Sequence, residues 1–226
     1  MQLADFLEKP MPPQKVALMW FDSFSGIAIK TPSARIMIDP VGIKPAQFKV
    51  DAIVVTHEHY DHLDTKLVTT LQHETGAPVI TTPFVARQLK LAKDKVRVMR
   101  IGDCLNINNV RLLAEYCEHP ANEALSFIIT TEDGITIYHP DDSEPFPAMA
   151  TLGNRYRPDI LLYLADSPNA AAQIAKLIGP KIVLSCFHDE ISSTDFGECL
   201  RMELPGVEAR ALKRLEPYCY PRTPNG

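Results

Sequence analysis

The fold of this chain is decided by residues 51–62, whose sequence is DAIVVTHEHYDH. Residues 51–56 form a short, continuous apolar run, which is typical of a strand buried on both faces. Residues 57–62 then place four potential metal ligands directly after that strand. Because the sheet would hold the backbone, a loop at the strand's carboxyl end can turn these side chains toward one point. The stretch therefore predicts a buried strand that carries a metal site.

The donor types in this loop suit a transition metal. Neutral imidazole and carboxylate are preferred donors for zinc, manganese or iron. His57 and His59 can share one ion, while Asp61 and His62 can be aimed at a second. A polar surface loop is the alternative, but three of the seven histidines fall within these six residues. A structural site with a single metal would also use these four ligands, and the loop alone leaves that possibility open.

The flanking sequence predicts an α/β protein. Strands are expected at 16–21, 26–30 and 35–39 before the loop, and helices at 64–75 and 84–93 after it. Residues 96–138 are rich in strand patterns, and α/β alternation returns over 160–214. This order suits two sheets packed on each other with helices outside, a four-layer αββα sandwich. We expect a single domain over 1–226, with a lead-in at 1–14 that includes a short helix at 3–8, and a loose tail at 217–226.

Residues 56–62, Thr-His-Glu-His-Tyr-Asp-His, resemble the metallo-β-lactamase superfamily. Its signature is His-x-His-x-Asp-His after a strand, and this chain carries it without a departure. The longer form THEHYDHLD resembles the branch that contains L-ascorbate-6-phosphate lactonases and N-acyl-phosphatidylethanolamine phospholipase D. The resemblance runs from about Lys15 to about Leu215. It implies the αββα sandwich and a pair of divalent metal ions.

The resemblance also implies three more ligands, each placed after a predicted strand. His119 is the candidate for the first, and His188 for the last. The middle one is an aspartate found in a Tyr-His-x-Gly-Asp-Thr pattern, which here has the sequence YHPDDS. Asp142 takes the ligand position and Asp141 stands where the glycine would be, so Asp141 remains a rival. Cys186 is a further rival, although a buried apolar role suits a lone cysteine better.

These residues imply a dinuclear mechanism. By resemblance, His57, His59 and His119 form one metal site, while Asp61, His62 and His188 form the other. Asp142 bridges the two ions, for which zinc is favoured and manganese or iron is also suitable. A metal-bridged hydroxide would attack a carbonyl carbon or a phosphorus atom, and Asp61 would hold the water or accept its proton. Asp61 and Asp142 are therefore the predicted catalytic residues.

Composition narrows the class of protein. The chain has 226 residues, a net charge of −5 and a pI near 5.8, which disfavours a nucleic-acid binder with a broad basic face. Its five scattered cysteines, the absence of a signal-like start and the absence of a long apolar run predict a soluble cytoplasmic protein without a membrane partner. We expect a hydrolase of esters, lactones or phosphodiesters that acts on a small molecule, phosphorylated ones included. A non-enzymatic metal-bound scaffold or sensor is the alternative, and a homo-oligomer stays open.

Several other residues are weaker candidates. Asp39 and Asp64 are each expected either to bond a ligand imidazole or to serve as a turn residue and a helix N-cap, respectively. His139 is expected to orient a ligand or to cap a strand end, and Tyr60 to lie in or beside the site. The loops near 22–26, 143–157 and 189–195 are expected to set specificity. Within the second, residues 153–157 would place cations near an anionic substrate or form a solvated loop.

Overall fold

The computed structural model describes residues 1–44, 49–164, 167–186, 197–198 and 200–221. The α-helices whose bounds lie wholly within these residues are α1 (Leu3–Glu8), α2 (Thr65–Thr75), α3 (Pro83–Gln88), α4 (Met149–Tyr156) and α5 (Pro168–Ile178). The strands are β1 (Lys15–Trp20), β2 (Ile27–Lys30), β3 (Arg35–Ile38), β4 (Ala52–Val55), β5 (Val79–Thr81), β6 (Val96–Val98), β7 (Cys104–Ile107), β8 (Val110–Tyr116), β9 (Leu125–Thr130), β10 (Thr136–His139), β11 (Ile160–Tyr163), β12 (Ile182–Ser185), β13 (Glu208–Ala211) and β14 (Tyr218–Pro221). Over the described part of the chain, no helix is both long and apolar enough to cross a bilayer.

The strands form two mixed seven-stranded sheets. The first has the order β14-β1-β2-β3-β4-β5-β6, and the second has the order β13-β12-β11-β10-β9-β8-β7. One apolar cluster fills the space between the sheets. Helices α1, α2 and α3 pack on the outer face of the first sheet, and α4 and α5 pack on the outer face of the second. The predicted four-layer αββα sandwich is therefore confirmed.

Strand β4 shows why the strand before the histidine loop is apolar throughout. Ala52 and Val54 belong to the cluster between the sheets, while Ile53 and Val55 belong to the outer cluster under the helices. All four residues are fully buried. A strand covered on both faces has no position at which a polar side chain would reach water. Burial on both sides fixes the backbone that leads into His57.

Helix α2 begins and ends where the sequence predicts. The Asp64 carboxylate accepts hydrogen bonds from the backbone N–H groups of Lys66 and Leu67, so Asp64 is the N-cap. Gly76 ends the helix in the left-handed conformation with φ 71°. Helix α3 is shorter than the predicted 84–93. Leu89 adopts an extended backbone there, which lets its side chain enter the outer apolar cluster.

Two predictions about irregular segments are wrong. Residues 143–157 are not a loop throughout, because Met149–Tyr156 forms α4 against α5. The tail is not loose over 217–226, because Tyr218–Pro221 forms β14 and pairs antiparallel with β1. Tyr218 and Tyr220 pack against the cluster between the sheets, which accounts for the order of this strand. Residues 222–226 lie outside the described residues.

Replacing Gly153 should destabilise the contact between α4 and α5. An alanine Cβ at this position would lie 2.4 Å from the carbonyl oxygen of Ile178, which is backbone and cannot rotate away. We expect Gly153→Ala to lower the free energy of unfolding by about 1–3 kcal/mol. Urea denaturation followed by circular dichroism measures this. Gly197→Ala is the matched control because a Cβ there would meet nothing within 4 Å; equal stability of the two variants would contradict the packing argument.

Candidate metal centre

The candidate site lies where the carboxyl ends of strands from both sheets meet. In the first sheet, β4 leads into the 57–62 loop and β3 leads into Asp39. In the second sheet, β8 leads toward His119 and β10 leads toward Asp141 and Asp142. Strands β3 and β4 are parallel, and β8 and β10 run in the same direction on either side of β9. Residues far apart in the chain are brought together for this reason.

Three histidines form the first donor group. Nε2 of His119 lies 3.0 Å from Nδ1 of His59. The ring centroid of His57 lies 4.6 Å from that of His59 and 4.9 Å from that of His119. Nε2 of His57 is buried and has no hydrogen-bond partner among the described residues. A buried nitrogen lone pair without a partner is costly, so three converging imidazoles fit a metal ion.

Asp61, His62 and Asp142 form the second donor group. Nε2 of His62 lies 3.2 Å from Oδ2 of Asp142 and 3.9 Å from Oδ2 of Asp61. The same Oδ2 of Asp142 lies 3.9 Å from Nε2 of His119, a member of the first group. Asp142 therefore lies between the two groups. The mixed nitrogen and oxygen donors of this second group also fit a divalent metal ion.

A buried polar layer supports the histidines from beneath. Oδ2 of Asp39 lies 2.9 Å from Nδ1 of His62 and also accepts the hydroxyl proton of Thr56 at 2.7 Å. Oδ2 of Asp141 lies 3.0 Å from Nδ1 of His57, and its Oδ1 lies 3.4 Å from Nδ1 of His62. Carboxylates placed in this way favour the proton on Nδ1 and leave the Nε2 lone pair for a metal.

The charges in this layer reinforce one another. Burial alone would raise the pKa of Asp141, but the neighbouring His57 and His62 outweigh it and hold that pKa below its usual range. Burial likewise acts to lower the pKa of His62, yet the carboxylates of Asp142, Asp39 and Asp141 raise it well above its usual value. Asp141 is therefore ionised, and its charge faces the imidazoles it supports.

Both supporting aspartates have a left-handed backbone. Asp39 has φ 47° and Asp141 has φ 59°. Aspartate is one of the few residues besides glycine that adopt this region at moderate cost. The superfamily pattern has glycine at the position of Asp141, and glycine adopts a left-handed backbone without strain. Here the residue meets the same backbone requirement and adds a carboxylate beneath His57.

The structure separates several sequence candidates. Asp142 faces the donor groups, whereas Asp141 faces Nδ1 of His57 on the buried side. Cys186 packs in the cluster between the sheets and joins none of the donor groups found among the described residues. His139 is buried, with Nδ1 3.2 Å from the carbonyl oxygen of Leu162. His188 lies outside the described residues.

Two of the weaker candidates have settled roles. Asp39 supports His62, while Asp64 caps α2.

Tyr60 is 80% exposed, and its ring lies edge-on to that of Phe24 with centroids 6.2 Å apart. Tyr60 therefore lies beside the site rather than in it. The cations of residues 153–157 belong to α4 and its end, where Arg155 stacks on Tyr156.

Sequence reasoning gave no individual role to several residues at the site. The Ser25 hydroxyl lies 3.2 Å from Nε2 of His62. Glu58 Oε1 accepts hydrogen bonds from the backbone N–H and the side-chain amide of Asn122, at 2.7 and 2.6 Å. This pair ties the 57–62 loop to the loop that follows His119. Glu58 lies inside the signature, but its partner is 64 positions away and no local pattern identifies it.

The comparisons with known proteins agree with this fold. The fold and the donor groups define a metal-dependent hydrolase of the metallo-β-lactamase fold. The model of the β-lactamase superfamily domain matches residues 17–186, and the chain belongs to this family.

Curated relatives agree with this family, and a solved structure agrees with the fold. A UPF0173 metal-dependent hydrolase of Archaeoglobus fulgidus is 25% identical, over 82% of this chain and 92% of the relative. Another, of Polynucleobacter asymbioticus, is 27% identical over 75% of this chain and 73% of the relative. The solved metallo hydrolase Igni18 of Ignicoccus hospitalis has a TM-score of 0.77 and 19% identity, over 92% of this chain and 100% of that one, which shows the same fold.

Replacing Asp141 by glycine should separate its two roles. Glycine accepts φ 59° without strain, so the turn is kept while the carboxylate beneath His57 is lost. We expect Asp141→Gly to retain the fold and to weaken metal binding about 10–100-fold, as measured by competition with a chelating dye. Asn108→Gly, at another left-handed position with φ 51°, is the control and should bind metal normally. Unchanged affinity in Asp141→Gly would refute the supporting role.

Proposed function

We propose that this chain binds two divalent metal ions and hydrolyses a carboxylic ester or lactone of a small molecule. The position of Asp142 carries the proposal. Its Oδ2 lies 3.2 Å from His62 in one donor group and 3.9 Å from His119 in the other, as a carboxylate shared by two ions would. Two metals that share a carboxylate are typical of hydrolytic sites.

The ligand assignment follows from the ring nitrogen that each histidine directs toward a donor group. His57, His59 and His119 would hold one ion, and Asp61, His62 and Asp142 the other, with His188 expected to complete the second set. Two further donor groups include Asp141. We assign no ion to them, because Asp141 faces the Nδ1 atoms that the buried carboxylates already engage. Zinc suits this mixed set best, and manganese or iron would also fit.

The side chains around the site would divide the work. Bound ions would supply a water of lowered pKa and polarise the substrate oxygen. The Asp61 side chain is 32% exposed, so it can hold that water and accept its proton from the open side. The Ser25 hydroxyl beside His62 can donate a hydrogen bond to a substrate oxygen. Asp39 and Asp141 would keep the imidazoles oriented throughout.

The surroundings of the site favour a carbonyl substrate over a phosphodiester. Besides metal ions, Lys and Arg side chains around the phosphate usually assist phosphoryl transfer. The cavity beside His119 has both apolar and polar side chains in its wall, and Arg100 is the one Lys or Arg among its described lining residues. Kinship with the lactonase and phospholipase D branch remains a proposal that rests on residues 56–64. We also propose a cytoplasmic protein that has a small-molecule substrate and binds neither nucleic acid nor membrane.

Loss of single ligands should abolish turnover without unfolding the protein. We expect His59→Ala and Asp142→Ala to lose at least one metal equivalent by elemental analysis and about 10²–10⁴-fold in turnover. The substrate panel would hold nitrophenyl esters, lactones and bis-nitrophenyl phosphate. His73→Ala is the control, because His73 is exposed on α2. Circular dichroism checks the fold of every variant.

Each outcome of the panel has a distinct meaning. Full turnover in Asp142→Ala would refute the shared carboxylate. Faster turnover of the phosphodiester than of any ester or lactone would replace the proposed bond with the alternative one. A metal-loaded protein that turns over nothing in the panel would favour a non-enzymatic scaffold or sensor.

A further inference from the structure

A cavity of about 390 Å³ opens directly beside the metal centre. His119 lines it, and Nε2 of this histidine is 3.0 Å from His59 in the donor group. A molecule whose reacting group lies at the imidazoles can therefore extend past His119 into the cavity. The volume is in the range of small-molecule sites, which run from about 300 to 1,000 Å³.

The cavity wall has both apolar and polar side chains, and Met99, Ile101, Tyr116 and Leu125 form its large apolar part. Met99 and Leu125 line the cavity and are buried, and both belong to the apolar cluster between the sheets. Ile101 is 57% exposed and Tyr116 is 42% exposed, and both line the same cavity. Two large apolar side chains left in water around one cavity favour a ligand that covers them.

Arg100 is the one Lys or Arg residue among the described residues that line this cavity. Arg100 lies between Met99 and Ile101 and is exposed, and its guanidinium has no ion pair within 4 Å among the described residues. The carboxylate of Glu123, on the same wall, already accepts the backbone N–H of Phe84. An unpaired guanidinium presents five donors that match an anionic oxygen group. The cavity thus combines a large apolar surface with a guanidinium that can pair with an anion, while the Glu123 carboxylate is engaged by Phe84.

We propose that this cavity binds the part of the substrate that is not cleaved, an apolar chain or ring with an anionic group that pairs with Arg100. The proposal rests on the hydrolase function above and names its substrate class, amphiphilic esters or lactones with a negative charge. The reacting carbonyl would lie at the metal-binding imidazoles, and the apolar body would cover Ile101 and Tyr116. The anionic group would be a carboxylate or a phosphate, since Arg100 suits both.

Binding of a sulfonate amphiphile tests the cavity independently of turnover. The probe is 1-octanesulfonate, whose head group is a weak metal ligand, and the measurement is calorimetry on the metal-loaded protein. We expect Arg100→Gln to weaken binding about tenfold, and Ala124→Trp to abolish it by filling the cavity. Arg97→Gln is the matched control, an arginine of the neighbouring strand β6 that does not line the cavity. Ethanesulfonate and octyltrimethylammonium should bind far more weakly than the probe.

The outcomes decide the proposal. No binding of 1-octanesulfonate, or binding equally strong in Arg100→Gln and Arg97→Gln, would overturn it. If Ala124→Trp does not fold, the exposed Arg100 variant still decides. Failure of the substrate panel would sink the hydrolase function while leaving probe binding intact, so the two failures are distinguishable. The KM values of esters with a terminal carboxylate and of esters with a terminal phosphate would be measured in the unaltered protein and in Arg100→Gln. The ester whose KM rises more in the variant carries the anion that Arg100 prefers.

Discussion

Two buried carboxylates beneath two imidazoles hold the centre of this protein together. Asp39 and Asp141 are almost entirely out of contact with water. A buried charge is costly unless it is paired, and each of these carboxylates lies about 3 Å from an Nδ1 atom. The pairing fixes the orientation of His57 and His62, and so the direction of their outward nitrogens. A preorganised metal site follows from this arrangement in the core.

The site also depends on the packing of one sheet against the other. The first sheet supplies the 57–62 loop and Asp39, and the second supplies His119, Asp141 and Asp142. Among the described residues, each donor group that includes His119 or Asp142 draws on both sheets. Apolar residues between the sheets hold the two sheets together. The hydrogen bond from Asn122 to Glu58 adds a polar link between their loops. A substitution in the core between the sheets would therefore disturb the metal site without any change to a ligand.

The local parts of this arrangement could be predicted from the sequence. The 57–62 cluster, the buried strand before it and the caps of α2 each lie within one short window. His119 and Asp142 were predicted only through resemblance, because the geometry that joins them to the loop spans both sheets. The roles of the adjacent Asp141 and Asp142 differ because a left-handed turn sends their side chains in opposite directions, which no spacing reveals.

Other features were beyond sequence reasoning for the same reason. Helix α4 was not predicted because Gly153 and Asn154 are poor helix formers, yet close contact with Ile178 requires a residue without a side chain. The cavity beside His119 is lined by segments near 82, 100 and 120, which only the tertiary fold brings together. The cavity is therefore a property of the fold and not of any one stretch.

The pairing of β14 with β1 has a consequence for synthesis on the ribosome. Lys15 pairs with Pro221, so one edge of β1 stays unpaired until β14 is synthesised about two hundred residues later. Until then the nascent chain offers an unpaired strand, whose free N–H and C=O groups can capture a strand from another molecule. The interval between the emergence of these two strands is when the chain is most exposed to aggregation.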